Sequence, residues 1–237
     1  MPDLAAAQRV LSQLGWLSVT PERFRDSVLK MSVLKKFAAN EIIYATGDPA
    51  SGMYGLVSGG VRVEVAPRDQ APFAVHLFVP GTWMGEGAAI SGQARILTLA
   101  ATRDTQLLYL TRTAITTILN DDPDAFRTFA RLGQMHLETA LGAIGDLMLR
   151  KPDKRLIASL LRLCGSRFET PEGLGIIDID LSQDDIALMS NVGRTKANAI
   201  LQELQERGQV EINYRRIRVL APDELRARLS ATTPSPD

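Results

Sequence analysis

The feature that most constrains the fold is a series of short β-type segments in the first half of the chain. Between residues 39 and 110, runs rich in apolar and β-branched residues alternate with turns that contain Gly, Pro, Ser or Asp. A spacing of about 8–12 residues between such runs is typical of a β-sandwich or a small barrel. Apolar residues at helical spacing over 4–17 and 21–34 predict two short helices before this β domain.

Composition excludes several classes of protein. The 237 residues include one Cys, which permits no intramolecular disulfide and no iron–sulfur cluster, and two His, which are far apart in the sequence and do not make a zinc site. Lys and Arg together number 27, as do Asp and Glu, so any polyanion-binding surface must be local. The chain shows neither a secretory signal nor an apolar span of about 20 residues, and we expect a cytoplasmic protein without membrane contact.

A heptad pattern begins after Pro123. Apolar or small residues recur there at alternating steps of four and three, which predicts one long helix with a continuous seam. The seam can pack against an identical helix across a two-fold axis, or it can lie on the β domain, and periodicity alone leaves both open. Pro152 interrupts the pattern and marks a domain boundary. The seam consists of Phe126, Ala130, Gly133, Leu137, Ala140, Ile144 and Leu147.

The last third of the chain has the pattern of a winged helix-turn-helix. After a helix over residues 153–164 and a strand over 176–181, a helix begins near Ser182, a tight break follows, and a second helix spans 194–207. A hairpin then flanks the basic turn at residues 213–216. In this motif the second helix enters the major groove of DNA.

Basic residues concentrate in this segment although the whole chain is neutral. From Arg194 to Arg218 there are six basic and three acidic residues, and contact with phosphates needs such a local surplus. Arg, Thr and Asn in the first turns of the second helix suit base edges, whereas the hairpin arginines suit phosphates. The alternative is a winged helix that binds protein. The predicted DNA-contacting residues are Ser182, Arg194, Thr195, Lys196, Asn198, Arg215 and Arg216.

Several strings, taken in order and spacing over about residues 37–221, resemble the bacterial transcription regulators of the cyclic AMP receptor protein and FNR superfamily (the Crp/Fnr family). The strings are Gly47-Asp48, MYGLVSGGVRV from Met53, Pro80-Gly81, Gly85-Glu86, Asp122-Pro123-Asp124, KRLIA from Lys154 and LSQDDIA from Leu181.

The resemblance implies an α+β architecture: an N-terminal β jelly-roll like that of cyclic nucleotide-binding domains, a long dimerisation helix and a C-terminal winged helix-turn-helix. We assign residues 1–122 to the effector domain, 123–151 to the dimerisation helix, 152–225 to the DNA-binding domain and 226–237 to a disordered tail. The resemblance also implies a homodimer that binds palindromic double-stranded DNA, works with RNA polymerase and has no enzymatic activity. A signal in the effector domain would bias a hinge near Leu149–Pro152.

The same resemblance locates a candidate effector pocket. In family members that bind cyclic AMP, a Gly-Glu pair holds the ribose, and an Arg followed by Ser or Thr holds the phosphate. Gly85, Glu86 and Arg95 match if the intervening loop is one residue shorter, but Ile96 follows the arginine and removes a hydrogen bond to a charged acceptor, a loss of about 1.5–3 kcal/mol.

The residues that would contact the adenine correspond to Ala140 and Leu141, whose side chains form no hydrogen bonds. Cyclic AMP binding in the usual mode is therefore disfavoured, and the effector is a different small ligand or none. Glu86 and Arg95 can alternatively form an ion pair of purely structural use. The single Cys164, in an apolar helix, excludes FNR-type iron–sulfur sensing, and lone His76 and His136 support haem poorly.

The recognition helix also departs from the family. Its usual pattern is Arg-Glu with another Arg four residues beyond the Glu, and here these positions are Arg194, Thr195 and Ala199. We therefore expect a different half-site preference. Two other functions stay open: a ligand-binding or protein-docking module without DNA readout, and an enzyme with a cupin-like metal site, for which the required His cluster is missing.

Overall fold

The structure, a computed structural model, describes residues 2–69, 71–170 and 178–230. The chain divides into two compact units, Met1–Thr139 and Ala140–Asp237. The division falls inside a long helix that spans Ala125–Leu147, whereas the domain limits assigned from the sequence, 122 and 151, lie near the two ends of this helix.

The first unit opens with helices α1 (Pro2–Gln13) and α2 (Glu22–Met31), separated by a short 3-10 helix (Trp16–Val19). Gly15 ends the predicted helix over 4–17 early, because its φ of 71° is left-handed. A Cβ atom at this residue would lie 2.0 Å from the carbonyl oxygen of Gly81, so only glycine fits.

In the described part of this unit eight strands follow, which confirms the predicted β domain. They are β1 (Val33–Phe37), β2 (Ile42–Tyr44), β3 (Met53–Ser58), β4 (Val61–Val65), β5 (Phe73–Phe78), β6 (Trp83–Met84), β7 (Thr98–Ala101) and β8 (Thr105–Leu110). They form two antiparallel sheets, in the orders β1-β8-β3-β6 and β2-β7-β4-β5. The first strand starts earlier than predicted, because Val33 pairs with Tyr109 and already belongs to the sheet.

Three helices complete this part: α3 (Glu86–Ser91), α4 (Arg112–Asp121) and α5 (Ala125–Leu147). The sequence analysis assigned no element to α3 or α4, although Thr111 caps α4 by accepting a hydrogen bond from the Ala114 amide. The start of α5 packs through Phe129, whose ring centroid lies 5.1 Å from that of Phe24 and 6.1 Å from that of Trp16.

The second unit contains the predicted winged helix-turn-helix. Its elements are α6 (Pro152–Leu163), β9 (Asp178–Ile179), α7 (Gln183–Met189), α8 (Arg194–Glu206), β10 (Val210–Asn213), β11 (Arg216–Val219) and α9 (Pro222–Ser230). The strands form one sheet in the order β10-β11-β9. Residues 176–177, predicted as the start of β9, lie outside the described residues.

Helix α9 contradicts part of the predicted disordered tail. Residues 226–230 are helical, since Leu225 is buried and the Arg228 side chain bonds to Gln209 and Glu203. Residues 231–237 of the predicted tail lie outside the described residues.

Candidate nucleic-acid interface and effector site

Helix α7 begins with the predicted capping box. The Ser182 hydroxyl accepts a hydrogen bond from the Asp185 amide at 3.1 Å and donates one to the Asp185 carboxylate at 2.6 Å. This hydroxyl is therefore engaged in starting α7, and its predicted contact with DNA stays a prediction.

The first turn of α8 is an exposed polar surface of the motif. Arg194, Thr195 and Lys196 are exposed, and no side chain caps the helix at Gly193. The free N–H groups of a helix N-terminus favour anions such as phosphate. The inward face is the predicted one, formed by the buried residues Ala197, Ile200, Leu201 and Leu204.

Asn198 is oriented differently from the predicted adenine reader. The residue is half-buried, and its Oδ1 atom is enclosed without a hydrogen-bond partner among the described residues. Recognition of adenine needs the amide oxygen and nitrogen at the same base edge. In this orientation Asn198 cannot present both.

The hairpin presents fewer available charges than its sequence suggests. Arg218 contacts Asp178 at 2.8 Å and Glu211 at 3.1 Å, and the hydrogen bond that its Nε donates to the Asp178 carboxylate raises the pKa of this guanidinium. Arg216 lies 3.5 Å from Asp180 and 3.7 Å from Asp178. The count from Arg194 to Arg218 missed these two aspartates, because they reach the hairpin from β9 and the residue that follows it.

The tip of the hairpin is a two-residue turn, Tyr214-Arg215. Asn213 pairs with Arg216 across it, Tyr214 is 93% exposed, and Arg215 has a left-handed φ of 52°. Arg215 is exposed and has no ion-pair partner within the described part of the chain. It is the hairpin arginine best placed to meet a phosphate.

Arg155 of α6 forms hydrogen bonds to two backbone segments of the second unit. Its guanidinium donates hydrogen bonds to the carbonyl oxygens of Leu149 at 3.0 Å and Arg150 at 3.2 Å, in the segment between α5 and α6. It also donates to the carbonyl oxygens of Ser190 at 3.1 Å and Asn191 at 2.8 Å, in the turn before α8. One side chain thus fixes the predicted hinge to the turn that positions the recognition helix.

In the β domain, the side chain of Arg95 is buried and donates hydrogen bonds to neighbouring protein groups. It is 3% exposed, its guanidinium lies 4.1 Å from the Tyr44 ring centroid, and Nη1 donates to the Gly85 carbonyl at 2.8 Å. Nη2 donates to the Ser51 hydroxyl at 2.8 Å and the Gly52 carbonyl at 2.5 Å. Nε is buried and has no partner among the described residues, so its N–H group is left for an anion.

Glu86 faces α5 instead of Arg95. Its Oε1 atom lies 2.8 Å from Nδ1 of His136, and a Cβ atom added at Gly133 would come within 3.9 Å of the same oxygen. The predicted alternative of a Glu86–Arg95 ion pair is wrong, because Arg95 donates to carbonyl and hydroxyl oxygens while the Glu86 carboxylate turns toward His136.

Two family models match the chain. A cyclic nucleotide-binding domain matches residues 34–122, and a Crp-like helix-turn-helix domain matches residues 154–228. The chain belongs to the Crp/Fnr family of transcription regulators. The winged helix is accordingly the DNA-binding domain of a Crp/Fnr regulator.

The sequences of known regulators are similar to this chain over most of its length. The global nitrogen regulator of Synechocystis is 28% identical over 200 residues, covering 83% of this chain and 88% of the relative. The CRP-like cAMP-activated global transcriptional regulator of Mycobacterium tuberculosis is 22% identical over 193 residues, covering 81% and 86%. A Crp/Fnr-family regulator of Thermus thermophilus has the same fold, with a TM-score of 0.62, 24% identity and coverage of 84% and 99%.

The predicted departures from the cyclic AMP pattern concern three apolar residues, and these stay predictions. Ile96 is 85% exposed, and Ala140 and Leu141 are exposed and apolar. Burial raises the pKa of the Tyr44 hydroxyl above its usual range, with the Arg95 charge acting in the opposite direction. Tyr44 thus stays protonated beside the Arg95 guanidinium.

Helix α5 of this Crp/Fnr chain has two different apolar faces. The face formed by Ala125, Phe129 and Leu132 is buried in the core that also contains Trp16 and Phe24. The heptad seam lies on another face. Phe126, Leu137, Ile144 and Leu147 are exposed large apolar residues, Ala130 and Ala140 are exposed, and Gly133 is half-buried.

Other sensing chemistries find little support in the described residues. Cys164 is buried, and burial raises the pKa of its thiol, which makes it less reactive. Within residues 2–69, 71–170 and 178–230, no group of three or more His, Cys, Asp and Glu side chains could hold a metal ion. None of the described helices is long and apolar enough to cross a membrane.

Proposed function

We propose that this chain acts as a homodimeric, sequence-specific transcription regulator whose effector domain does not bind cyclic AMP in the usual mode. Two observations carry the proposal: the heptad seam of α5 is exposed, and so is the first turn of α8, Arg194–Lys196. A dimer would present two such turns to DNA.

The seam supports dimerisation because the chain itself leaves it uncovered. The first unit buries the face around Phe129 in its core and leaves the seam exposed, which argues against the alternative that the seam lies on the β domain. A long helix that keeps Leu137 at 52% exposure and Ile144 at 58% is unfavourable in water unless a partner covers it. A second copy offers the matching seam across a two-fold axis.

The exposed first turn of α8 supports sequence recognition. Two recognition helices of a dimer enter successive major grooves about 34 Å apart, so the operator is an imperfect palindrome. Arg194 suits guanine, Thr195 suits several bases or a thymine methyl, and Lys196 and Arg215 suit phosphates. Thr195 and Ala199 replace the usual family readers, and the half-site differs accordingly.

The pocket supports an effector other than cyclic AMP. Three N–H groups of Arg95 already donate to protein oxygens. Ile96 has no hydroxyl group to bind a phosphate. The side chains of Ala140 and Leu141 form no hydrogen bond to a base. A cyclic-nucleotide-dependent regulator is the second candidate. The buried unpartnered Nε of Arg95 favours it, as does the cAMP-activated relative from Mycobacterium tuberculosis.

As a transcription regulator, the protein would work in the cytoplasm and contact RNA polymerase. Transcription in a purified system with the organism's polymerase, on a promoter fragment that the protein binds, tests this partner. A change in transcript level in either direction supports it and also separates activation from repression, whereas an unchanged level on a bound promoter argues against it.

A gel-shift experiment with genomic fragments tests DNA recognition. The parent and Arg194→Ala are compared at equal salt, with Glu206→Gln as a surface control on the far end of α8. We expect Arg194→Ala to bind its preferred fragment about 5- to 150-fold more weakly, since a bidentate base contact is worth about 1–3 kcal/mol. Equal affinity of the parent and Arg194→Ala would refute the recognition assignment. A parallel titration with cyclic AMP that sharpens the shift would instead favour the second candidate.

A further inference from the structure

The carboxylate of Asp184 lies beside the main candidate base reader. Asp184 is the second residue of α7, and its Oδ1 atom is 2.8 Å from Nε of Arg194 in the first turn of α8. The pair thus connects the two helices of the motif at the edge that would face DNA.

The ion pair has little value for stability. The side chains of Asp184 and Arg194 are 55% and 75% exposed, and ion pairs this exposed to water contribute little to the free energy of unfolding. The capping of α7 does not need it either, because Ser182 and Asp185 form the complete capping box. A carboxylate at this position also repels DNA phosphates, which is unfavourable for a surface that binds DNA.

The position of the Asp184 carboxylate determines which N–H groups of Arg194 are free to bind a base. A guanidinium has one edge that includes Nε and an end formed by its two Nη groups, and a guanine accepts two parallel hydrogen bonds at O6 and N7. Because Asp184 lies against Nε, the two Nη groups are left for the base. The pair also restricts a long side chain that would otherwise lose rotamer entropy on binding.

We propose that Asp184 is a specificity-determining residue that orients Arg194 toward a guanine and disfavours its contact with phosphate. This inference rests on the proposed DNA-binding function. Asp184 acts through Arg194 and is therefore a positioning residue. Its removal shifts Arg194 from selective to general DNA contact.

The test uses the full-length protein and a duplex that carries the site selected by the parent from a random library. Affinity is measured for this duplex and for its single-base variants with the parent, Asp184→Asn, Arg194→Ala and the double variant. Glu206→Gln is the matched control, because it also removes one exposed negative charge from the motif. Thermal unfolding verifies that each variant is folded.

We expect Asp184→Asn to lose about tenfold in discrimination at the guanine position that Arg194→Ala relaxes. Its affinity for unrelated DNA should rise, with a steeper salt dependence, because Arg194 becomes free to contact a phosphate. In the Arg194→Ala background, Asp184→Asn should change base preference no further. Glu206→Gln should keep the base preference of the parent.

Three outcomes would overturn the inference. If the parent selects a site and Asp184→Asn retains its full base preference, Asp184 does not position Arg194, and the proposed function stands. If Asp184→Asn alters base preference equally in the Arg194→Ala background, it acts independently of Arg194, and the inference also fails. If the parent selects no site, the proposed function fails and the inference fails with it.

Discussion

Arg194 and Arg215 show how two arginines of one motif differ through their surroundings. Arg194 lies on a helix and has a carboxylate neighbour, whereas Arg215 lies on a strained turn and is open to solvent. A non-glycine residue with a left-handed φ raises the energy of the folded state by about 1 kcal/mol. A strained residue at a loop tip often has a functional use, and here a positive charge facing DNA would provide one.

Replacement of Arg215 by glycine separates strain from function. Arg215→Gly should keep the free energy of unfolding or raise it by up to about 1 kcal/mol, because glycine accepts the left-handed turn. The same variant should bind DNA more weakly, and the slope of log affinity against log salt should shrink by about one unit. Denaturant unfolding and a salt titration measure the two effects. Undiminished affinity and an unchanged slope would show that Arg215 contacts no phosphate.

At the scale of elements, polar clusters hold the second unit together. Asp146 of α5 is buried and receives hydrogen bonds from Nε of Arg162 at 3.3 Å and from Nε of Arg167 at 2.8 Å. Burial lowers the pKa of Arg162, and the Asp146 carboxylate opposes that shift. Together with Arg155, this cluster joins the end of α5 to α6 and to the helix-turn-helix. The segment at 149–152 is therefore more firmly held than a simple hinge.

Asp146→Ala should destabilise the protein by about 3–5 kcal/mol, because it leaves the buried Arg162 guanidinium without its counter-charge. Asp124→Ala is the control, since Asp124 is exposed and pairs loosely with Arg127 at 3.7 Å. Chemical denaturation of both variants gives the difference. Equal stability of the two variants would mean that the cluster contributes nothing to the folded state.

Local patterns predicted the elements better than their contacts. Three features were predicted from residues that follow one another within about one helical turn. They are the Ser182–Asp185 capping box, the inward face of α8 and the seam of α5. The pairs Glu86–His136 and Arg155–Asn191 join residues 50 and 36 positions apart, and no local pattern encodes them. Helix α4 was missed because its Thr and Ile content also suits a strand. The Asp184–Arg194 pair could have been suspected from an unneeded acid beside the capping box.

For the whole molecule, the account depends on a second copy. Leu137→Glu should convert the dimer into a folded monomer, because Leu137 is exposed in the single chain and a charge in the seam prevents pairing. Thr139→Glu is the matched control, since residue 139 is exposed on the same helix outside the seam. Light scattering with size-exclusion chromatography measures the mass. A parent that is monomeric at micromolar concentration, or a Leu137→Glu variant that stays dimeric, would contradict this assembly.

The zero net charge of the whole chain bears on how strongly it attracts DNA of any sequence. Acidic residues such as Asp178 and Asp180 compensate the hairpin arginines, so general attraction to DNA is weak. Weak general attraction leaves discrimination to a few exposed side chains near Arg194.

Selection of bound duplexes from a random library, followed by sequencing, tests the central claim most directly. The account predicts a two-fold symmetric site whose half-sites are about 10 base pairs apart, with one guanine in each half-site that Arg194→Ala no longer selects. Enrichment of no motif, or of a single asymmetric motif indifferent to Arg194→Ala, would contradict a dimeric regulator that reads DNA through α8.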